Sequence, residues 1–349
     1  MTTRMIGRGR RGAAALAALV MAAGFAGVAG CSSHAQTAAA DGETPSGPLT
    51  VGEAAGAFRT FVAADSVARA SGDERLALSL TADGQAKLTA AAYRKAAFSG
   101  VPVPRYHYGA PQLFVPTIKG YPRWFVAMAD RWQGGRKRTD LMAFMKPEQD
   151  GRWQLSLSTL LAPGVRPPRP VRDAHGLAEA LPTTTTGLVA QPKMAGALQA
   201  TMVEEGPDGP SAGVIATGPD TSGLYRQITR TKRLMRNRGL AYDAIFTATT
   251  TPMFVLRTAD GGALALYCYN LETTTLVRKA RTVDRVPVPQ NVAHLLDKLV
   301  IKRELDTTET HQYAAAIPLP RGKDPNHPLD PIRVIASDGA VTGAEADGK

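Results

Sequence analysis

The sequence predicts an α+β fold built on antiparallel sheet, and three observations carry that prediction. Apolar residues recur at helical spacing between Val51 and Tyr93. The period changes to two between Tyr106 and Leu161, and the same order, helix and then strands, returns between Leu224 and Ala336. Two diverged domains are expected, residues 49–163 and 191–341, each with helices packed on a curved sheet.

Each element has a local cause. Thr50, ahead of Glu53, supplies an N-cap and a first-turn acid for a helix whose apolar positions include Val51, Ala54, Phe58, Phe61 and Val62. A second helical stretch, Asp73 to Ala97, breaks near Thr81–Gly84 and turns Leu76, Leu80, Leu88, Ala92 and Tyr93 inward. After Pro102 and Pro104, strands are expected over Tyr106–Ile118, Trp124–Trp132, Thr139–Met145 and Trp153–Leu161, divided by turn clusters such as Gly134-Gly135 and Glu148–Gly151. Alternation puts Trp124, Val126 and Met128 on one face.

Leu161–Pro170 reads as polyproline-type chain, extended and poor at joining a sheet, and it opens a connector over 164–190. Beyond an irregular stretch containing Pro192 and Pro219, a helix is expected over Leu224–Gly239, then strands near Tyr242–Thr249, Met253–Thr258 and Ala263–Thr275. A short helix around Asn291–Leu299 precedes strands at Glu304–Ile317 and Ile332–Ala336, and residues 342–349 read as a frayed tail. Trp124–Trp132 corresponds loosely to Ala263–Leu271, and Arg152–Thr159 to Ile332–Gly339, which implies a diverged duplication.

The N-terminus carries a different signal. Arg4, Arg8, Arg10 and Arg11 precede an uncharged apolar run from Ala13 to Ala29 that ends in Val28-Ala29-Gly30-Cys31. This is the pattern of a lipoprotein signal peptide over residues 1–30: arginines hold the cytoplasmic face, the apolar run enters the translocon, and small residues admit a peptidase beside an acylated thiol. Cys31 is therefore the expected lipidation site and first mature residue, followed by a polar, flexible tether over 31–48 that is too poor in large apolar groups to fold. The run is 17 residues long, shorter than a comfortable membrane span. With Cys31 acylated, Cys268, the only other cysteine, has no partner and reads as a buried free thiol.

Composition narrows the function classes. Among 349 residues 44% are apolar and 20% charged, which excludes disordered, collagen-like and coiled-coil chains. The net charge is +11, of which four cations belong to the leader, so the body carries +7. An exported location argues against nucleic acid as the partner.

Helices ahead of a meander whose last turn is Glu148–Trp153 resemble the cone-shaped NTF2-like and cystatin-like domains. Across nearly the whole mature chain, including Thr159–Gly164, Glu204–Pro207 and Gly218–Tyr225, the sequence resembles an uncharacterised actinobacterial lipoprotein family. The first resemblance implies cone-shaped domains and the second an envelope location; neither implies an activity.

Catalysis in such a cone needs an Asp or His in an apolar cavity and a Tyr that donates to a developing oxyanion. The ingredients here are Tyr106, His107, Tyr108 and Asp130, of which alternation lets only half face inward; ordinary sheet packing is the simpler reading. His294 and His311 have no carboxylate at ligand spacing and read as surface or partly buried side chains. No metal or cofactor motif is present, so neither is expected. Between Leu224 and Arg238, Arg226, Arg230, Arg233 and either Arg236 or Asn237 form a basic stripe opposite Leu224, Ile228 and Met235, which reads as a solvated face or as a contact for anionic headgroups or wall polymers. The resulting expectation is a lipid-anchored, extracytoplasmic, non-catalytic module that binds an envelope protein or an apolar ligand. The alternative is an isomerase- or dehydratase-like enzyme using one cone.

Overall fold

Helix α1 (Val51–Ser71) starts at a capping box: the Thr50 hydroxyl accepts from the Glu53 backbone N–H at 3.2 Å, and the Glu53 carboxylate accepts from the Thr50 N–H at 2.8 Å. It ends at Gly72, whose φ of 71° is a left-handed conformation favouring glycine. Its buried face is Ala54, Phe58, Phe61, Asp65 and Ala68. Helices α2 (Glu74–Ser79) and α3 (Asp83–Ser99) follow, separated at the expected break. The computed structural model describes residues 47–278, 283–320 and 330–347, and Pro45–Lys349 forms one compact unit. The signal peptide, Cys31 and nearly all of the tether lie outside the described residues.

Among the described residues ten strands make one antiparallel sheet, which with these few helices is an α+β architecture. In the first half they are β1 (His107–Tyr108), β2 (Gln112–Phe114), β3 (Arg123–Gln133), β4 (Arg136–Lys146) and β5 (Gln154–Leu161). Helices α4 (Ala195–Glu205) and α5 (Leu224–Asn237) then precede β6 (Leu240–Ala248), β7 (Phe254–Arg257), β8 (Ala263–Val277), β9 (Glu304–Ile317) and β10 (Arg333–Ala346). The strand order is β1-β3-β4-β5-β10-β9-β8-β6, with β2 beside β3 and β7 beside β8.

That order reads the same from either end. In the first half β2 pairs with residues 126–128 of β3 and β1 with 131–132. In the second half β7 pairs with 263–266 of β8 and β6 with 269–277. The halves meet at their last strands, where Leu161 faces Ala336 and Leu160 faces Ser337.

Alternation explains why many of these strands are apolar on both faces. Phe125, Ala127 and Ala129 of β3 pack under α1, whereas Val126, with Trp124 and Met128 against it, belongs to a central core shared with the second half. Leu264 and Leu266 of β8 enter that same core, while Ala263, Ala265 and Tyr267 face α4 and α5. The Trp124 and Phe254 rings meet edge-on at 5.3 Å across the two halves. One contiguous apolar layer therefore ties together what the sequence divides into two domains.

Local expectations differ from the structure at five places, the first being that the single strand expected over Tyr106–Ile118 is two short ones, β1 and β2. The 164–190 connector is tied down: the Val171, Ala178 and Leu181 N–H groups donate to Arg257, Val115 and Val255 carbonyls at 2.9, 2.8 and 2.9 Å, and Leu181 and Leu188 join the core. Prolines withhold donors, but the residues between them satisfy the open edge of β7. The Pro192–Pro219 stretch contains α4, whose Gly196 hides the helical pattern because the Tyr269 ring occupies the place a Cβ would take. The expected helix at Asn291–Leu299 is a single 3₁₀ turn, Ala293–Leu295. The tail expected to fray from Thr342 is the end of β10 through Ala346, held by its pairing with β9 and by Val341 in a core with Leu240 and Leu305.

Candidate ligand-binding cleft

Tyr106 and Tyr108, two residues apart, are both turned inward, and His107 between them is exposed. The Tyr106 ring lies between two guanidiniums, Arg69 at 4.1 Å and Arg131 at 4.4 Å from its centroid. Each arginine has its own carboxylate. Arg69 Nε donates to Asp65 at 2.7 Å within α1, and Arg131 Nη1 donates to Asp140 at 2.9 Å from β3 to β4. Ser158 of β5 donates its hydroxyl to Asp140 as well, at 2.8 Å. Asp140 is fully buried.

Burial is the dominant influence on these groups. It pushes the Asp140 carboxyl up to about 6, against the opposing pull of Arg131 and Ser158. It raises Tyr108 too, and Asp140 adds to that rise. Asp338 reaches the same cluster from β10, 3.7 Å from Arg131 Nη2, and burial raises its carboxyl while Arg131 opposes the shift. With 39% of its side chain exposed, Asp338 is the carboxylate of the cluster open to solvent.

Arg69, Tyr106, Tyr108, Arg131, Ser158 and Asp338 line a cleft whose inner cavity is about 170 Å³, and Asp140 is buried behind them. A wider mouth of about 490 Å³ shares Arg69, Leu88, Ala92, Tyr106, Gly339 and Ala340 with it, and adds the apolar Val101–Val103 segment. The cleft is built by both halves, α1, α3 and β3 on one side and β10 on the other. His294 sits at the mouth, its pKa lowered by partial burial and by Lys95 and Arg94 nearby.

Asp130 is not part of it. Its side chain faces outward, bonded to Lys137 at 2.9 Å and Thr139 at 3.2 Å, and chiefly the Lys137 bond holds its carboxyl below the ordinary value. The inward groups are its strand neighbour Arg131 and Asp140, which the sequence reading missed. Their signal was a charge at the edge of an apolar run, Asp140 just before Leu141–Met145 and Arg131 shortly after Phe125–Ala129. His311, expected without a carboxylate, has one: Glu309 lies at 3.1 Å, and the ring stacks on Tyr313 at 5.8 Å. The second half has a filled interior, where Tyr267 donates to Gln199 at 2.8 Å above Tyr313 and Met202. Cys268 is buried, and burial raises its thiol.

Among the described residues, no helix is long and apolar enough to cross a membrane. No solved structure matches the chain. Among curated proteins it is similar to an uncharacterized lipoprotein of Streptomyces coelicolor, 31% identical over 195 residues, covering 55% of each chain. The chain thus spans about half the length of that relative. The family described as Domain of unknown function (DUF8094) matches residues 45–346, the whole sheet and every helix that packs on it, and the chain belongs to that family.

Proposed function

We propose that this is a lipid-anchored protein of the cell envelope, held at the extracytoplasmic face through Cys31, whose two NTF2-like halves act together as a non-catalytic binding body. The Arg4–Cys31 pattern and the likeness to a relative named as a lipoprotein support the anchor. The shared strand order of the halves supports a duplication of one cone. The observation that carries the non-catalytic reading is the Arg131–Asp140–Ser158 cluster. A fully buried carboxylate held by a guanidinium at 2.9 Å and a hydroxyl at 2.8 Å is fixed in place and holds a fold together. The apolar mouth above it suits an apolar ligand or an apolar side chain of an envelope protein.

The isomerase- or dehydratase-like alternative is favoured by one observation, the Asp140 carboxyl near 6, within general-base range. The ion pair counts against it, because a base must first release Arg131.

Metabolic labelling with an alkyne fatty acid tests the anchor: the wild type is tagged and Cys31→Ser is not. Labelling of the mutant refutes it. A neutral naphthylamine dye tests the cleft, since its emission should rise on binding the wild type and fail to rise with Ala92→Trp, which fills the mouth. Equal binding by both overturns the cleft reading.

A further inference from the structure

Helix α5 and the ends of β6 and β8 enclose a second groove, about 600 Å³, at the far end of the sheet from α1. Its walls are Arg226, Arg230, Lys232, Arg233, Arg236 and Arg278, and its floor includes Tyr225 and Tyr242. Lys232 pairs with Asp243 at 2.8 Å, and Arg226 reaches the Ser222 hydroxyl at 3.3 Å. Arg230, Arg233, Arg236 and Arg278 have no acidic partner among the described residues. Of the α5 residues only Ile228 is buried, so these arginines do not serve the core. Like charges spaced three and four apart on a helix repel one another, so the arrangement works against α5 unless an anion covers it.

We propose that this groove docks the protein onto the phosphate-bearing headgroups of an anionic lipid bilayer. Charge complementarity argues for the anion, and Leu234 argues for a bilayer. That side chain, just outside the groove lining, is 49% exposed, with Arg230 one turn before it and Arg238 at the C-cap four residues after it. An exposed apolar group beside guanidiniums fits an interface, where the cations meet phosphates and the leucine enters the acyl boundary. A soluble polyanion leaves Leu234 in water. The docking rests on the proposed anchor only for proximity: the 18 residues from Cys31 to Pro48 extend to about 60 Å at most, enough to bring α5 to the leaflet.

The test uses the chain beginning at Ser32, which lacks acylation and retains the whole compact unit, so it is independent of the labelling result. Sedimentation with phosphatidylglycerol-containing vesicles should retain it at low salt and release much of it as the Debye length falls from about 30 Å at 0.01 M to about 8 Å at 0.15 M. Pure phosphatidylcholine vesicles should not retain it. Replacing Arg230, Arg233 and Arg236 by Gln should weaken binding by on the order of 100-fold, from about fivefold per cation near an anionic surface. A charge-matched control, Arg59, Arg75 and Arg94 to Gln in the first half, should change it little, and Leu234→Ser should weaken it. Absence of wild-type binding at low salt, or equal loss in the control, overturns the proposal. So does unaltered binding by Leu234→Ser together with full competition by soluble polyphosphate, which would make a free polyanion the occupant.

Discussion

Replacing Asp140 by Asn tests whether the buried ion pair is structural. The substitution preserves shape and the reach to Ser158, and it leaves the Arg131 guanidinium, 7% exposed, charged and without its partner. Breaking a buried pair on one side costs about 3–5 kcal/mol. Asp338 at 3.7 Å and the Tyr106 ring at 4.4 Å remain beside Arg131, and the neutral amide escapes the burial penalty that raises the carboxyl, so the loss is cut to about 1–2 kcal/mol. Against a total of about 5–15 kcal/mol for a folded domain, this is a measurable shift in urea midpoint. The companion Arg131→Met separates charge from packing. Asp140 then loses its cation and its carboxyl rises beyond its wild-type value of about 6. A group whose folded pKa is raised contributes stability that is full below its unfolded value, near 4, and is lost as pH rises through the folded one. Arg131→Met should therefore lose about 1.4 kcal/mol per pH unit across that window, which extends higher than in the wild type, and Asp140→Asn should show no such slope from this site. The assay is urea unfolding followed by tryptophan fluorescence at pH 5, 6, 7 and 8, on the chain beginning at Ser32. A cost below about 1 kcal/mol for Asp140→Asn at pH 7, or the same pH slope in both variants, would refute the reasoning.

Gly84→Ala places a Cβ 2.7 Å from the Cys268 sulfur and 3.2 Å from Gln312 Nε2, so thermal or urea unfolding should report a loss of about 1–3 kcal/mol, partly recovered by adding Cys268→Ala. A fragment ending at Pro163 exposes Val126, Leu141, Ala143 and Leu157, which the second half covers; it should aggregate or bind a hydrophobic dye, and a monodisperse, cooperatively unfolding fragment would contradict the shared core. Limited digestion with a non-specific protease should spare Val171–Leu181, whose backbone is bonded to β7 and to Val115, so that a first cut there would count against the bonded connector. The Cys268 thiol should resist a thiol reagent in the native chain and react at once in urea, because burial both hides it and disfavours the thiolate.

Features that a few neighbouring residues can decide were legible in the sequence. The α+β class follows from two changes of period, and α1 from Thr50, Glu53 and Gly72, all within one turn of its ends. The separation of Trp124, Val126 and Met128 from Phe125 and Ala127 needs only the pleat. Features that depend on a partner far along the chain emerged only in the folded molecule. Whether Asp130 or its neighbour Arg131 faced the cavity depended on which face of β3 received α1, and Asp140 lies on that same face. Asp338, some two hundred residues away, joined that cluster only because β10 pairs with β5. The proline-rich 164–190 segment looked like a linker because its own composition offers few donors, and it became part of the edge because β7 had unpaired groups to satisfy. Helix α4 was hidden by Gly196, a residue that makes sense only beneath the ring of Tyr269. Caps and periodicities are written in covalent neighbours, whereas burial and the pairing of charges are set by surfaces that meet only after the chain has closed on itself.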